Sequence, residues 1–132
     1  MDDTHGTVHW TELMTRDVGA AKAFYEKVCG WSFDQVEMEG GLIYHVAMAH
    51  GRPVTGLMDI AGEPGGEGRS SYWLSYIAVD DVDTAARNAK AAGGTVKRAP
   101  WDVAGVGRIV LVTDPTGADI GLMTPAEMPD QV

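Results

Sequence analysis

Polar and apolar residues partly alternate over Val8–Thr15, the period-two pattern of a strand with one buried face. Asp17 comes next, placed to cap a helix through its carboxylate. Ala21, Phe24, Tyr25 and Val28 then fall at helical spacing on one face, which is expected to pack as core. Gly30 supplies the left-handed conformation that ends such a helix. Strand-like runs come next at Trp31–Glu37, Leu42–Ala49 and Val54–Ile60, separated by turns at residues 40–41 and 50–53. The order then starts again. Tyr72–Val79 reads as a strand, and Asp81 caps a helix whose inner face is Ala85, Ala89 and Ala92, ended by Gly93 and Gly94. Strands come after it near Thr95–Arg98, Gly107–Val112 and Ala118–Met123, with a β-turn at residues 114–117 and Trp101 in a loop over residues 99–103.

The second half repeats the first. A shift of 64 residues lays Asp17-Val18 on Asp81-Val82, Ala21 on Ala85 and Gly30 on Gly94, and a shift of 65 lays Gly56-Leu57-Met58 on Gly121-Leu122-Met123. The pattern therefore predicts an α+β chain of two tandem βαβββ modules, residues 7–60 and 72–124, within one domain over 1–132. Residues 61–71, rich in Gly and without large apolar side chains, read as a linker.

Composition changes this picture little, but charge narrows the partners. The 132 residues hold 10 Lys+Arg against 19 Asp+Glu, a net charge of −9. Nucleic acid and anionic membrane surfaces both require clustered cations, so neither is expected as a partner. No apolar run approaches the roughly 20 residues of a membrane span. The opening residues carry two acids where a secretion signal needs positive charge. A single cysteine, Cys29, makes no internal disulfide, and a cytoplasmic setting is expected.

Three stretches carry a resemblance: WTELMTRDVGAAKAFYEKVCGW, YIAVDDVDTAARNAKAAGG and GRIVLVTDPTGADIGLM. Together they resemble the vicinal oxygen chelate superfamily, which includes glyoxalase I, bleomycin-resistance proteins and extradiol dioxygenases. The resemblance implies that the modules form an open cup-shaped mixed sheet with the helices outside. It also implies a divalent metal held in the cup by His or Glu from the first and last strands of each module. Carried over position by position, those ligands fall on Trp10, Gly56, Leu74 and Gly121, none of which offers a donor side chain. No metal or other cofactor is expected on that basis. An unusual divalent site built from His9, Glu12, His45 or His50 is the alternative.

Glu12 shares strand parity with Trp10 and Met14, which the resemblance places on the inner face. A carboxyl group in a partly apolar cup suits general acid or base work, and its structural alternative is pairing with Arg108 or solvent. Tyr76, inward on the matching strand, offers a phenol for the same chemistry. Trp10, Met14, Met58, Leu74 and Met123 are expected to line a ligand pocket, with Trp101 as a lid or dimer contact. His45 is expected to be a satisfied strand histidine, and Cys29, at a helix C-terminus, is not expected to be nucleophilic.

Four readings are open. In the first, the chain binds a small molecule without a metal, as bleomycin-resistance-like members do. Homodimers are expected by resemblance, and the acidic balance favours a neutral or cationic ligand. In the second, a glyoxalase-type lyase or isomerase uses Glu12 for proton transfer and a divalent metal at a non-standard site. In the third, an enzyme without metal uses Glu12 and Tyr76 for the acid and base steps. The fourth is a structural or interaction role with a filled cup.

Overall fold

A computed structural model describes residues 4–61 and 70–126. Its elements run β1 (Val8–Thr15), α1 (Val18–Cys29), β2 (Ser32–Glu37), a short 3-10 turn (Glu39–Gly41), β3 (Ile43–Ala49), β4 (Arg52–Asp59), β5 (Tyr72–Ala78), α2 (Val82–Ala91), β6 (Thr95–Val103), β7 (Gly107–Thr113) and β8 (Asp119–Pro125). The repeated βαβββ order is the one the hydrophobic pattern predicts. Most of the linker expected over residues 61–71 lies outside the described residues. Among the described residues, no helix is long and apolar enough to cross a membrane.

The chain forms two compact units, Thr11–Leu74 and a second made of the segment up to Trp10 together with the chain from Ser75 onward. In the first unit the strands run β2-β3-β4-β1, with β1 parallel to β4 and the other pairs antiparallel. Helix α1 begins where Asp17 Oδ1 accepts from the Ala20 N–H at 3.0 Å, and ends at Gly30 with φ 74°. Leu13, Ala47 and Leu57 form the core on the helix side, with Ala21, Tyr25, Trp31 and Phe33 packed against them. Only half of the predicted helix face reaches this core. Phe24 is 56% exposed and Val28 also lies at the surface, and α1 has no fully buried residue. Tyr25 takes the central place, stacked on Trp31 at 5.1 Å and edge-on to Phe24 and Trp73.

In the second unit the order is β5-β8-β7-β6, with β5 parallel to β8. Helix α2 buries Val82 and Ala86 against Val110 and Val112. Ala89 adds to this contact, whereas Ala85 and Ala92 are not part of it, so the inner face is turned by one residue from the expected one. The larger Val82 sets that rotation, because burying it removes more apolar surface than burying Ala85. Arg108 fixes the helix from outside through a two-pronged bond to Asp83 (2.9 and 3.1 Å) and a 3.3 Å contact with Asp102. The N-terminal segment is tied to this unit: Gly6 N–H donates to Ala78 O, and the Asp80 N–H donates to His5 Nδ1.

Strand β6 is longer than predicted and contains Trp101, which is therefore not in a loop. Pro100 is tolerated because β6 is an outer strand, where a missing N–H costs no ladder bond. Two register shifts, at Val96/Arg98 and Arg98/Trp101, absorb the irregularity.

Gly107 is the most constrained turn residue, with φ 145° and a Cβ position that would collide with the Thr124 carbonyl and Pro125 Cα. Gly107→Ala is expected to cost about 2–4 kcal/mol from combined backbone strain and overpacking, read as a lowered midpoint in urea. Gly105→Ala, where φ is 77° but space is open, is expected to cost less.

Candidate functional site

Each unit has a sheet face turned away from its helix, and Met14, Met58 and Met123 lie on such a face. In the first unit β1 pairs with β4 so that Glu12 stands opposite Gly56 and Met14 opposite Met58. The adjacent positions Leu13 and Leu57 point to the helix-side core, so strand alternation puts Glu12, Met14, Gly56 and Met58 on the open face. Glu12 is 7% exposed. Its Oε1 accepts a 2.8 Å hydrogen bond from the Tyr44 hydroxyl, thirty-two residues away. Arg108 is committed to Asp83 and Asp102, so it is not the partner of Glu12 that the sequence suggested as an alternative.

Tyr44 reaches Glu12 by crossing Gly56. A Cβ on that glycine would occupy the place of the Tyr44 hydroxyl and ring edge. The second unit repeats the device with a different ring. There Tyr76 stands opposite Gly121, and a Cβ on Gly121 would run into the Tyr76 ring. Met123 pairs with Ala78 and Ile109, and Trp101 pairs with Ile109, so Tyr76, Met123 and Trp101 share the open face of their unit. Tyr76 and Met123 are buried. Trp10 and Leu74 keep the strand parity of Glu12 and Tyr76 respectively.

The register bears on metal chemistry. Gly56 and Gly121 stand where a last-strand ligand is expected. Their strand partners are Glu12 and Tyr76, one carboxylate and one phenol. Among the described residues no group of three or more His, Cys, Asp or Glu is arranged to hold a metal ion. These residues do not fit a chelating set. His45 faces the helix side, opposite Leu57, so it does not join Glu12.

His45 is not the satisfied histidine the sequence suggested. Its Nδ1 is buried without a hydrogen-bond partner. Burial, and then the charge of Lys22, hold the imidazole below its usual value, with Asp59 opposing. Tyr44 is a residue that sequence reading missed. For Tyr44 the available signal was parity with Val46 and Met48 in an alternating strand. On the helix side of the first unit, Phe24, Tyr25 and Trp73 line a shallow open depression of about 480 Å³. Its one carboxylate, Asp17, is used as the α1 cap.

Two outcomes test this geometry. Tyr44→Phe removes the donor to a buried carboxylate and is expected to cost about 1–3 kcal/mol. Gly56→Ala displaces the same hydroxyl, so the double variant is expected to lose less than the sum, measured by a denaturation cycle. Because His45 titrates below its unfolded value of 6.5, the unfolded chain binds the extra proton first. Stability present above that pH is therefore lost as pH falls through the folded value. His45→Gln is expected to flatten the decline in melting temperature between about pH 7 and 5. Asp83 and Asp114, held low by Arg108 and Thr116 respectively, act only in a more acidic window.

Comparison with known proteins is consistent with this geometry. The model of the Glyoxalase/Bleomycin resistance protein/Dioxygenase superfamily matches residues 7–122. A protein named "Putative glyoxylase CFP32" from Mycobacterium bovis is 40% identical over 119 residues, covering 89% of this chain and 45% of that protein. "Anthracycline biosynthesis protein DnrV" from Streptomyces peucetius is 32% identical, covering 86% of this chain and again 45% of the relative. The chain thus spans less than half the length of these curated relatives. Methylmalonyl-CoA epimerase from Mycobacterium tuberculosis shares the fold with a TM-score of 0.65 at 17% identity, over 96% of this chain and 93% of that one. A Streptomyces coelicolor methylmalonyl-CoA epimerase does so with 0.67 at 18%, over 95% and 100%. Its repeated modules, their register and the match over residues 7–122 make this chain a member of the glyoxalase, bleomycin-resistance and dioxygenase superfamily.

Proposed function

We propose that this chain binds a small organic molecule on the open sheet faces of its modules, without a resident metal. The observation that carries the reading is the glycine at Gly56 and at Gly121, each with a tyrosine ring in the volume a ligating side chain would need. Aromatic and thioether side chains stand where chelating ones would, half-buried Tyr44, Met14 and Met58 in one unit and buried Tyr76 and Met123 in the other. Such surfaces favour compact, partly aromatic ligands. The name of the anthracycline-biosynthesis relative supports that ligand class, since anthracyclines are flat polycyclic aromatics. A homodimer belongs to the same reading. A reducing, cytoplasmic setting is also part of it, since the single cysteine is an exposed free thiol.

The buried Glu12–Tyr44 pair favours a second reading, proton transfer on a bound substrate, because carboxylate and phenol share one hydrogen bond. In that reading Glu12 takes the proton and Tyr44 holds the carboxylate in place, with Tyr76 as a further phenol in the second unit. The glyoxylase-named relatives support this reading.

Elemental analysis of untagged protein dialysed against trace divalent ions is the first test. No stoichiometric metal is expected. Near-stoichiometric zinc, nickel, manganese or iron would overturn the metal-free reading. A thermal-shift screen of neutral, cationic and anionic aromatics then tests binding, because a ligand at a hundred times its Kd adds about 2.7 kcal/mol to stability. A library that leaves the melting temperature unmoved would sink it.

A further inference from the structure

Two cations emerge beside each other on β6, and their situations differ. Lys97 is neutralised by Asp119, with Nζ 2.6 Å from Oδ2. Arg98 has no carboxylate partner among the described residues, in a chain with 19 acidic residues. Instead its guanidinium lies over the Trp101 ring, 3.6 Å from the centroid. Asp102, the nearest acid in sequence, is engaged by Arg108.

The stack is a product of the irregular edge. Residues three apart on a regular strand point to opposite faces. Between Arg98 and Trp101, however, β6 spends three steps where β7 spends two, since Arg98 pairs with Leu111 and Trp101 with Ile109. The bulge puts both side chains on the face of Leu111, Ile109 and Met123, away from α2. The ring covers one face of the guanidinium, and its N–H edge has no hydrogen-bond partner among the described residues. That is the geometry in which arginine takes a planar oxyanion through two parallel hydrogen bonds.

We propose that Arg98 and Trp101 form an oxyanion subsite on the open face of the second unit, specific for a carboxylate attached to a flat apolar body. The carboxylate takes the guanidinium edge, and the body lies along Trp101 and the half-buried Leu111 beside it. This assignment rests on the small-molecule reading above and names the ligand class for that face. It reverses the expectation drawn from total charge, because a stacked arginine at contact distance outweighs a diffuse field that salt screens.

Titrating the intact chain with 2-naphthoate, and in parallel with neutral 2-naphthamide, separates charge from ring. Naphthoate is expected to bind about tenfold tighter or more, and to shift the Trp101 indole signal in the NMR spectrum. Arg98→Gln is expected to abolish that preference at an unchanged melting temperature. Arg98→Lys, with the charge but not the planar fork, is expected to restore only part of it. Equal binding of the two compounds, or a preference that survives Arg98→Gln, overturns the subsite and leaves the small-molecule reading standing. Absence of naphthoate binding also overturns the subsite. Failure of the broader reading gives a different result: no compound of any charge in the thermal-shift screen stabilises the protein.

Discussion

The parallel pairing of the first strand of each module with its last constrains most of the site. It sets Glu12 against Gly56 and Tyr76 against Gly121. At both places the glycine is required by the ring that crosses it, from Tyr44 in one unit and from Tyr76 itself in the other. An added methyl group at either position would push out an aromatic side chain. The faces turned away from the helices thereby carry phenols, thioethers and one buried carboxylate, in a fold whose relatives carry diverse names on one scaffold. Fold and function are separable here for that reason.

The two faces of each sheet have different physics. On the helix side, packing dominates: Leu57, Val82 and Val110 are completely buried, and the helices contribute small residues that allow close approach. Buried polar groups occur on both sides, Thr15 and Thr55 with the helix-side core and Glu12 on the other face. Glu12 is buried yet hydrogen-bonded, as a buried carboxyl group must be to avoid a desolvation cost of several kcal/mol. Arg98 is exposed and stacked rather than ion-paired. His45, also on the helix side, is an imidazole whose buried nitrogen has no partner among the described residues. Its burial makes the neutral form the better fit to the fold.

Much of the fold was legible in the chain. The Asp17 and Gly30 caps, the matching Asp81 cap and the succession of elements arise from interactions within a few residues, where side-chain chemistry and backbone preference act alone. The inward parity of Glu12, Met14 and Tyr76 was also legible, because strand alternation is local. Phe24 and Val28 were misread because helical spacing gives a face but not how much of it is covered. Ala85 and Ala92 were misread because Val82 decided the rotation of α2.

What the sequence determined by itself is therefore the succession of elements, their repeat and the side of each strand that turns away from the helices. Tertiary structure alone decided the partners. Tyr44 meets Glu12 across thirty-two residues because two strand pairings, β1 with β4 and β3 with β4, bring them to one glycine. Arg98 meets Trp101 because β6 slips against β7 twice, which no local preference of either residue specifies. Register is a property of strands joined at a distance, fixed by the collective fit of every pair along them, and a one-residue slip changes every partner at once.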